Sequence, residues 1–330
     1  MHSLYPWLEP VFARLIEQHR AGRLPHALLL TGPEGLGKGR LARRLAQAVL
    51  CHLPREDGAP CGQCPSCRPF QVGAHPDFTA LGPKEESKVI KVEDVRDFTA
   101  ALYMTSQFGH GKVGIVEPAD AMNAASANAL LKTLEEPPSG TSIVLITAHP
   151  ARLPITVRSR CQRWVVPVPE RALAVEWLGR QPQAASDDAE LLLDLVEGRP
   201  LAALDMAAPE RLAQRSRWLE SLLHLLRAGG NPVALAAAAD KAMAPDLIHW
   251  TTLLLSDLIR AHRGARPGDG IFLNRDIADL LPSVAARLDA RALFSLYDEL
   301  LKTGGLVNHP LNRDLLLEDL LIRLHRLSGC

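Results

Sequence analysis

Two groups of residues in this chain have the types and spacing to do chemistry. The first is Gly32-Pro-Glu-Gly35-Leu-Gly37-Lys38, which follows the apolar run Ala27–Leu30 and precedes a helix-like stretch from Arg40 to Leu50. Glycines at such a strand-to-helix turn let backbone N–H groups approach phosphate oxygens. The helix N-terminus adds positive potential, and the lysine reaches the outer phosphates. Gly32, Gly35, Gly37, Lys38 and Gly39 are therefore candidate nucleotide-binding positions. The pattern asks next for a Ser or Thr whose hydroxyl holds magnesium, but Gly39 stands there and has no side chain to offer. The alternative is a plain tight turn between a strand and a helix.

The second group is Cys51, Cys61, Cys64 and Cys67. The repeated two-residue gaps in Cys61-Gly-Gln-Cys64-Pro-Ser-Cys67 let three thiolates converge on one ion. Cys51, at the end of the preceding helix, closes a tetrahedron. Four sulfurs with no open position make a structural zinc site, as opposed to a catalytic one. Free thiols and a redox Cys-x-x-Cys pair are the alternatives, and the pair leaves two cysteines unexplained. Cys161 and Cys330 stand apart and are read as free.

The elements that must position these groups follow from hydrophobic period. Leu8–Gln18 reads as an amphipathic helix with Leu8, Val11, Phe12, Leu15 and Ile16 on one face, and Tyr5-Pro6-Trp7 leads into it. Strands are expected at Ala27–Thr31, Asp77–Leu81, Lys112–Glu117, Ser142–Thr147 and Arg163–Pro167, with a loop over Pro83–Lys88. Helices are expected at Val92–Leu102 and after Asn123, which caps a run ended by Pro137. Continuous apolar strands alternating with helices predict a doubly wound parallel sheet, with the phosphate loop at its carboxyl edge. Glu117 then ends the third strand, where phosphate-loop ATPases keep a magnesium-holding acid, and Pro118 follows it with no acid–base chemistry. Between the fourth and fifth strands, residues 151–169 carry Arg152, Arg158, Arg160 and Arg163 and no acid. Beyond Pro169 the β-branched runs vanish and leucine-rich helical faces take over. Breaks are expected at Gly229–Pro232, Gly264–Gly270, Pro282 and Gly304–Pro310, and a final helix at Leu311–Leu327.

The chain's 330 residues allow two or three domains. Lys+Arg and Asp+Glu are both 37, so any nucleic-acid contact must come from a local patch. No run approaches the ~18 apolar residues of a membrane span, and the N-terminal residues do not read as a signal peptide. The expected location is the cytoplasm, where clustered cysteines suggest a metal before a disulfide.

At Ala127-Asn-Ala-Leu-Leu-Lys-Thr-Leu-Glu-Glu-Pro-Pro138 the chain resembles the bacterial clamp-loader ATPases of the AAA+ class. Ser159-Arg160-Cys161 resembles that family's Ser-Arg-Cys motif, and the four-cysteine knuckle fits as well. The likeness covers about the first 205 residues; the helical remainder agrees in length and character but carries little motif. It implies an AAA+ (P-loop NTPase-like) α/β domain with a zinc module at residues 1–167, a small helical lid at 168–208 and an all-α collar for oligomerisation at 209–330. It also implies a hetero-pentamer that opens the sliding clamp and places it on primed DNA, as part of a DNA-directed DNA polymerase holoenzyme. Arg160 would enter a neighbour's ATP site as a catalytic arginine finger.

The sequence departs from the family's motor subunits at Gly39, at Glu117-Pro118, and at Leu201, which falls where the lid would supply an arginine. These changes together remove metal coordination, water positioning and charge neutralisation. The expectation is a subunit that does not hydrolyse ATP by itself and binds nucleotide and magnesium weakly or not at all. The competing readings are a genuine ATPase motor with Glu117 as the magnesium ligand, and, from another class, a zinc-knuckle nucleic-acid-binding module supported by the 151–169 arginines.

Overall fold

A computed structural model describes residues 3–84, 87–184, 188–304 and 313–327. The chain divides into two compact units, Met1–Leu173 and Ala174–Cys330. The first six residues of the segment expected as a lid (168–208) therefore fall with the first unit. Its remainder shares one core with residues 209–327.

The first unit begins with a 3-10 turn, Pro6–Leu8, and helix α1, Glu9–Arg20. There follow β1 (Ala27–Thr31), α2 (Lys38–Val49), the short α3 (Cys67–Gln71), β2 (Phe78–Leu81), α4 (Val92–Tyr103), β3 (Lys112–Val116), α5 (Ala124–Glu135), β4 (Thr141–Thr147), α6 (Ile155–Arg158) and β5 (Gln162–Val165). The five strands form one parallel sheet in the order β2-β3-β4-β1-β5. Every residue of β1 and β3 is buried, as a sheet covered on both faces requires. Leu29, Ile143 and Leu145 join Val95, Phe98, Leu130 and Leu134 of α4 and α5 in one core. Leu28, Leu30, Val144 and Ile146 alternate to the other face, which α2 covers.

The expected elements are present, with ends moved for identifiable reasons. Helix α2 starts at Lys38, two residues before the expected Arg40, because Gly37 takes a left-handed conformation (φ 80°) that the turn needs just ahead of it. β2 starts at Phe78 because the Asp77 N–H is turned aside to His75 Nδ1 (3.0 Å). β5 starts one residue early and stops short of Pro167, which has no N–H to continue the ladder. Asn123 caps α5 as expected, accepting a 2.9 Å hydrogen bond from Ser126 N. Of the expected 83–88 loop, residues 85 and 86 lie outside the described residues.

The second unit is helical: α7 (Arg171–Gly179) enters it from the first, then α8 (Ala189–Leu195), α9 (Pro200–Met206), α10 (Pro209–Ala228), α11 (Pro232–Ala238), α12 (Ala244–His262), α13 (Leu281–Ala285), α14 (Ala290–Gly304) and α15 (Arg313–Arg326). Chain breaks at Gly229–Pro232 and Gly264–Gly270 fall between helices as expected. Pro282 sits within the first turn of α13, where a missing N–H costs nothing, so it starts a helix instead of interrupting one. The break expected over Gly304–Pro310 lies almost wholly outside the described residues, as does the start of the last helix. Asp257, fully buried in α12, accepts from the backbone N–H groups of Leu273 and Asn274 and thereby ties down the chain after the Gly264–Gly270 break. No helix among the described residues is long and apolar enough to cross a membrane.

Candidate functional site

The glycine-rich loop joins β1 to α2 and is held from two sides. Trp7 Nε1 donates to the Leu36 carbonyl at 2.9 Å, Tyr5 stacks on Trp7 at 5.0 Å, and the Arg40 guanidinium lies 4.3 Å over the Tyr5 ring. The lead-in expected to serve only packing thus also fixes the loop. From the other side, the chain after β5 passes so close to Gly32 that a β-carbon there would collide with the Val166 carbonyl oxygen; Gly32 also has φ 147°.

Lys38 is 7 % exposed, and its ammonium donates to the carbonyls of Gly32 (2.8 Å) and Pro33 (2.7 Å). Burial lowers its pKa, against the pull of Glu34, Glu117 and Asp120. The charge is therefore spent on the loop's own carbonyls. Beside it, the Glu117 carboxylate lies where a side chain on residue 39 would go. A β-carbon built on Gly39 would be 2.6 Å from Glu117 Oε1 and closer still to Oε2. Glu117 as a residue is exposed, but its carboxyl group is enclosed by protein, and that desolvation raises its pKa while Arg43 and Lys38 pull it down. The sequence treated Gly39 and Glu117 as separate departures, yet in space they are complementary, one removing a side chain and the other filling its place.

This packing sets apart two glycines of one loop. Gly32→Ala is expected to cost about 2–3 kcal/mol, because a backbone carbonyl cannot move aside and the φ is strained for alanine. Gly39→Ala is expected to be within about 1 kcal/mol of the parent, because the obstacle is the free end of a flexible side chain and alanine gains helix propensity. Urea unfolding of the two variants measures both values, and equal losses would contradict the packing described.

Some neighbours of the loop had no motif to flag them. Asp120 accepts a hydrogen bond from Thr147 Oγ1 at the end of β4 and lies 4.0 Å from Arg152. The available signals were polarity at the carboxyl end of an otherwise apolar strand (Thr147) and a second acid three residues past Glu117. Leu201 lies on α9, half-buried, in the second unit.

The four cysteines meet. Their Sγ atoms all lie within 4.8 Å of one another, with Cys51–Cys61 at 3.7 Å and Cys51–Cys64 at 4.0 Å. A tetrahedron with zinc–sulfur bonds of about 2.3 Å has edges of about 3.8 Å, so the donor set fits that ion. Backbone N–H groups of Cys61, Cys64 and Cys67 point at sulfurs from 3.3–3.4 Å, an arrangement that stabilises thiolate. Burial raises the Cys64 thiol, but the hydrogen bonds from Cys67 and His52 and the neighbouring sulfurs overcome it, leaving its pKa at about 6. Ser66 Oγ donates to Leu50 O (2.6 Å), at the end of α2, and pairs with His75 Nε2 (2.9 Å). Because His75 Nδ1 accepts from Asp77 N, its Nε2 carries the proton and donates to Ser66. The cysteine module is thus fastened to both α2 and β2. Cys161 is separate and free, its thiol pushed up to about 12 by burial; Cys330 lies outside the described residues.

Arg160 lies at the loop between α6 and β5, far along the chain from the glycine loop. Its guanidinium pairs with Glu135 at the end of α5, and Nη1 donates to Thr156 O at 2.9 Å. The other arginines of 151–169 do not make a continuous basic face: Arg163 Nε donates to Thr31 Oγ1 (3.2 Å) and Arg152 faces Asp120.

Residues 7–169 match the family described as DNA polymerase III, delta subunit, and residues 209–326 match DNA polymerase III, delta subunit, C terminal. The DNA polymerase III subunit delta' of Escherichia coli (strain K12) is 34 % identical over 327 residues, spanning 97 % of this chain and 95 % of that protein. The protein of the same name in Pseudomonas aeruginosa is 35 % identical over 334 residues, 100 % of this chain and 99 % of that one. DNA polymerase III subunit tau of Salmonella typhimurium is 35 % identical over 173 residues, 52 % of this chain and 26 % of its own length.

Proposed function

From its place in the DNA polymerase III delta-subunit family, to which this chain belongs, we propose that it is a non-hydrolytic subunit of a clamp loader and serves a partner's ATP site in place of its own. The observation that carries this reading is the Glu117 carboxylate occupying the side-chain space of Gly39, beside a Lys38 whose ammonium is committed to loop carbonyls. A loop arranged so has no hydroxyl to hold a metal ion. Its lysine must break two charge-assisted hydrogen bonds before it can meet a phosphate.

In this reading the chain works in a hetero-pentamer in the cytoplasm that loads a sliding clamp onto primed DNA, with Arg160 reaching a neighbouring subunit's nucleotide. The Cys51, Cys61, Cys64 and Cys67 cluster holds a structural zinc. Within the helical unit, residues up to about 208 act as a lid and the rest as a collar that joins the subunits.

The test is a steady-state ATPase assay on the purified full chain with Lys38→Ala as control. We expect a rate indistinguishable from the Lys38→Ala blank. Turnover that depends on Lys38 would overturn the proposal and favour an ATP-hydrolysing motor with Glu117 as metal ligand.

A further inference from the structure

A cavity of about 710 Å³ opens along α2, beyond the glycine loop, and Arg40, Arg43, Arg44, Gln47, Phe70 and Glu117 contribute to its wall. Its lining sets three guanidinium groups against one carboxylate. Arg40 lies over Tyr5 and Arg43 over Phe78 (5.9 Å), and neither these two nor Arg44 forms an ion pair among the described residues. Burial lowers the pKa of Arg44, against the more distant Glu9 and Asp57, so the wall carries positive charge in a partly desolvated place.

Gln47 supplies an independent observation. It is 6 % exposed, lines this cavity, and its Nε2 has no hydrogen-bond acceptor among the described residues. A buried amide donor without a partner is costly and uncommon in a folded chain. Arg40, Arg43, Arg44 and Gln47 follow one another at helical spacings that place them along one side of α2. Gln47 is eight residues from Gly39, roughly 12 Å along the helix. The donor-rich end is therefore removed from Glu117, whose carboxylate is at Gly39.

We infer that this cavity is a binding site for a phosphate-bearing ligand, distinct from the glycine loop. Everything at its far end donates and nothing accepts, so the occupant must offer several acceptor oxygens and negative charge. A phosphate group offers both and matches the guanidinium fork. The same chemistry is presented by a free phosphoanhydride and by a nucleic-acid backbone. The inference is independent of whether the chain hydrolyses ATP.

The experiment is calorimetric titration of the full-length chain, in phosphate-free buffer at fixed ionic strength, with sodium tripolyphosphate and separately with a short DNA duplex. Saturable binding is expected to weaken roughly tenfold in Arg43→Ala and in Gln47→Leu, since each removes a donor to the anion. It should be unchanged in Lys38→Ala, which disables the glycine loop. Arg43 is exposed, so its variant keeps the fold, and circular dichroism checks the Gln47 variant. Binding of tripolyphosphate alone assigns the site to a free phosphoanhydride, and binding of the duplex assigns it to a nucleic-acid backbone; either supports the site if it shows the Arg43 dependence. The inference fails if neither probe binds, if Arg43→Ala leaves the affinity unchanged, if Lys38→Ala abolishes binding, or if a polyglutamate peptide binds and the phosphate probes do not.

Discussion

Arg160→Ala is expected to lower ATP turnover at the one subunit interface it serves by about 10³-fold, the lower end of what an arginine supplied in trans contributes to phosphoryl transfer. The folded chain itself should be little affected. Arg160 is half-exposed and pairs with Glu135 at the surface, and such pairs contribute about 0–1 kcal/mol. That weakness is useful, because the guanidinium can leave Glu135 for a triphosphate without a large penalty. Arg160→Lys keeps the charge but loses the planar fork, so it should restore only part of the rate. Single-turnover hydrolysis in a reconstituted complex, with only the adjoining motor site left competent, isolates the interface. A variant complex that assembles and turns over at the parental rate would remove Arg160 from any catalytic role.

Removing the metal from the cysteine module is expected to unfold residues 51–67 and to destabilise the α/β unit well beyond that segment. Structural zinc contributes on the order of 10 kcal/mol to the folding of such modules near neutral pH. The damage should spread because Ser66 and His75 link the module to the ends of α2 and β2. Cys64→Ser or Cys67→Ser should therefore abolish zinc in a stoichiometry measurement and admit protease between Cys51 and Cys67. Either should also depress the melting temperature by more than a single buried hydrogen bond would. The ligands bind as thiolates, so acidification should release the metal with the same consequences. A parent chain that contains no zinc, and serine variants that melt with it, would contradict this reading of the cluster.

Much of the α/β unit was legible before any coordinates, because a buried parallel strand announces itself as an unbroken apolar run. Ala27–Thr31 and Thr141–Thr147 are such runs, and both lie in the middle of the sheet. The cysteine cluster was legible for a different reason: two-residue gaps bring thiols together through local geometry alone, and only Cys51 comes from outside the knuckle. Element ends were less legible, since they depend on single hydrogen bonds such as Asp77 N to His75 Nδ1.

The residues around the glycine loop divide the same way. Gly32, Gly37 and Lys38 are neighbours in the chain, and their types and spacing alone determined a strand-to-helix turn suited to phosphate. That Glu117 would come across from β3 and fill the space left at Gly39, that Lys38 would turn back on its own carbonyls, and that Gln47 would be buried with its amide unpaired were decided only by packing. Backbone conformation and short-range spacing are written into consecutive residues. Which side chain occupies a given volume depends on segments far apart in the chain meeting across the sheet, and no local pattern carries that information.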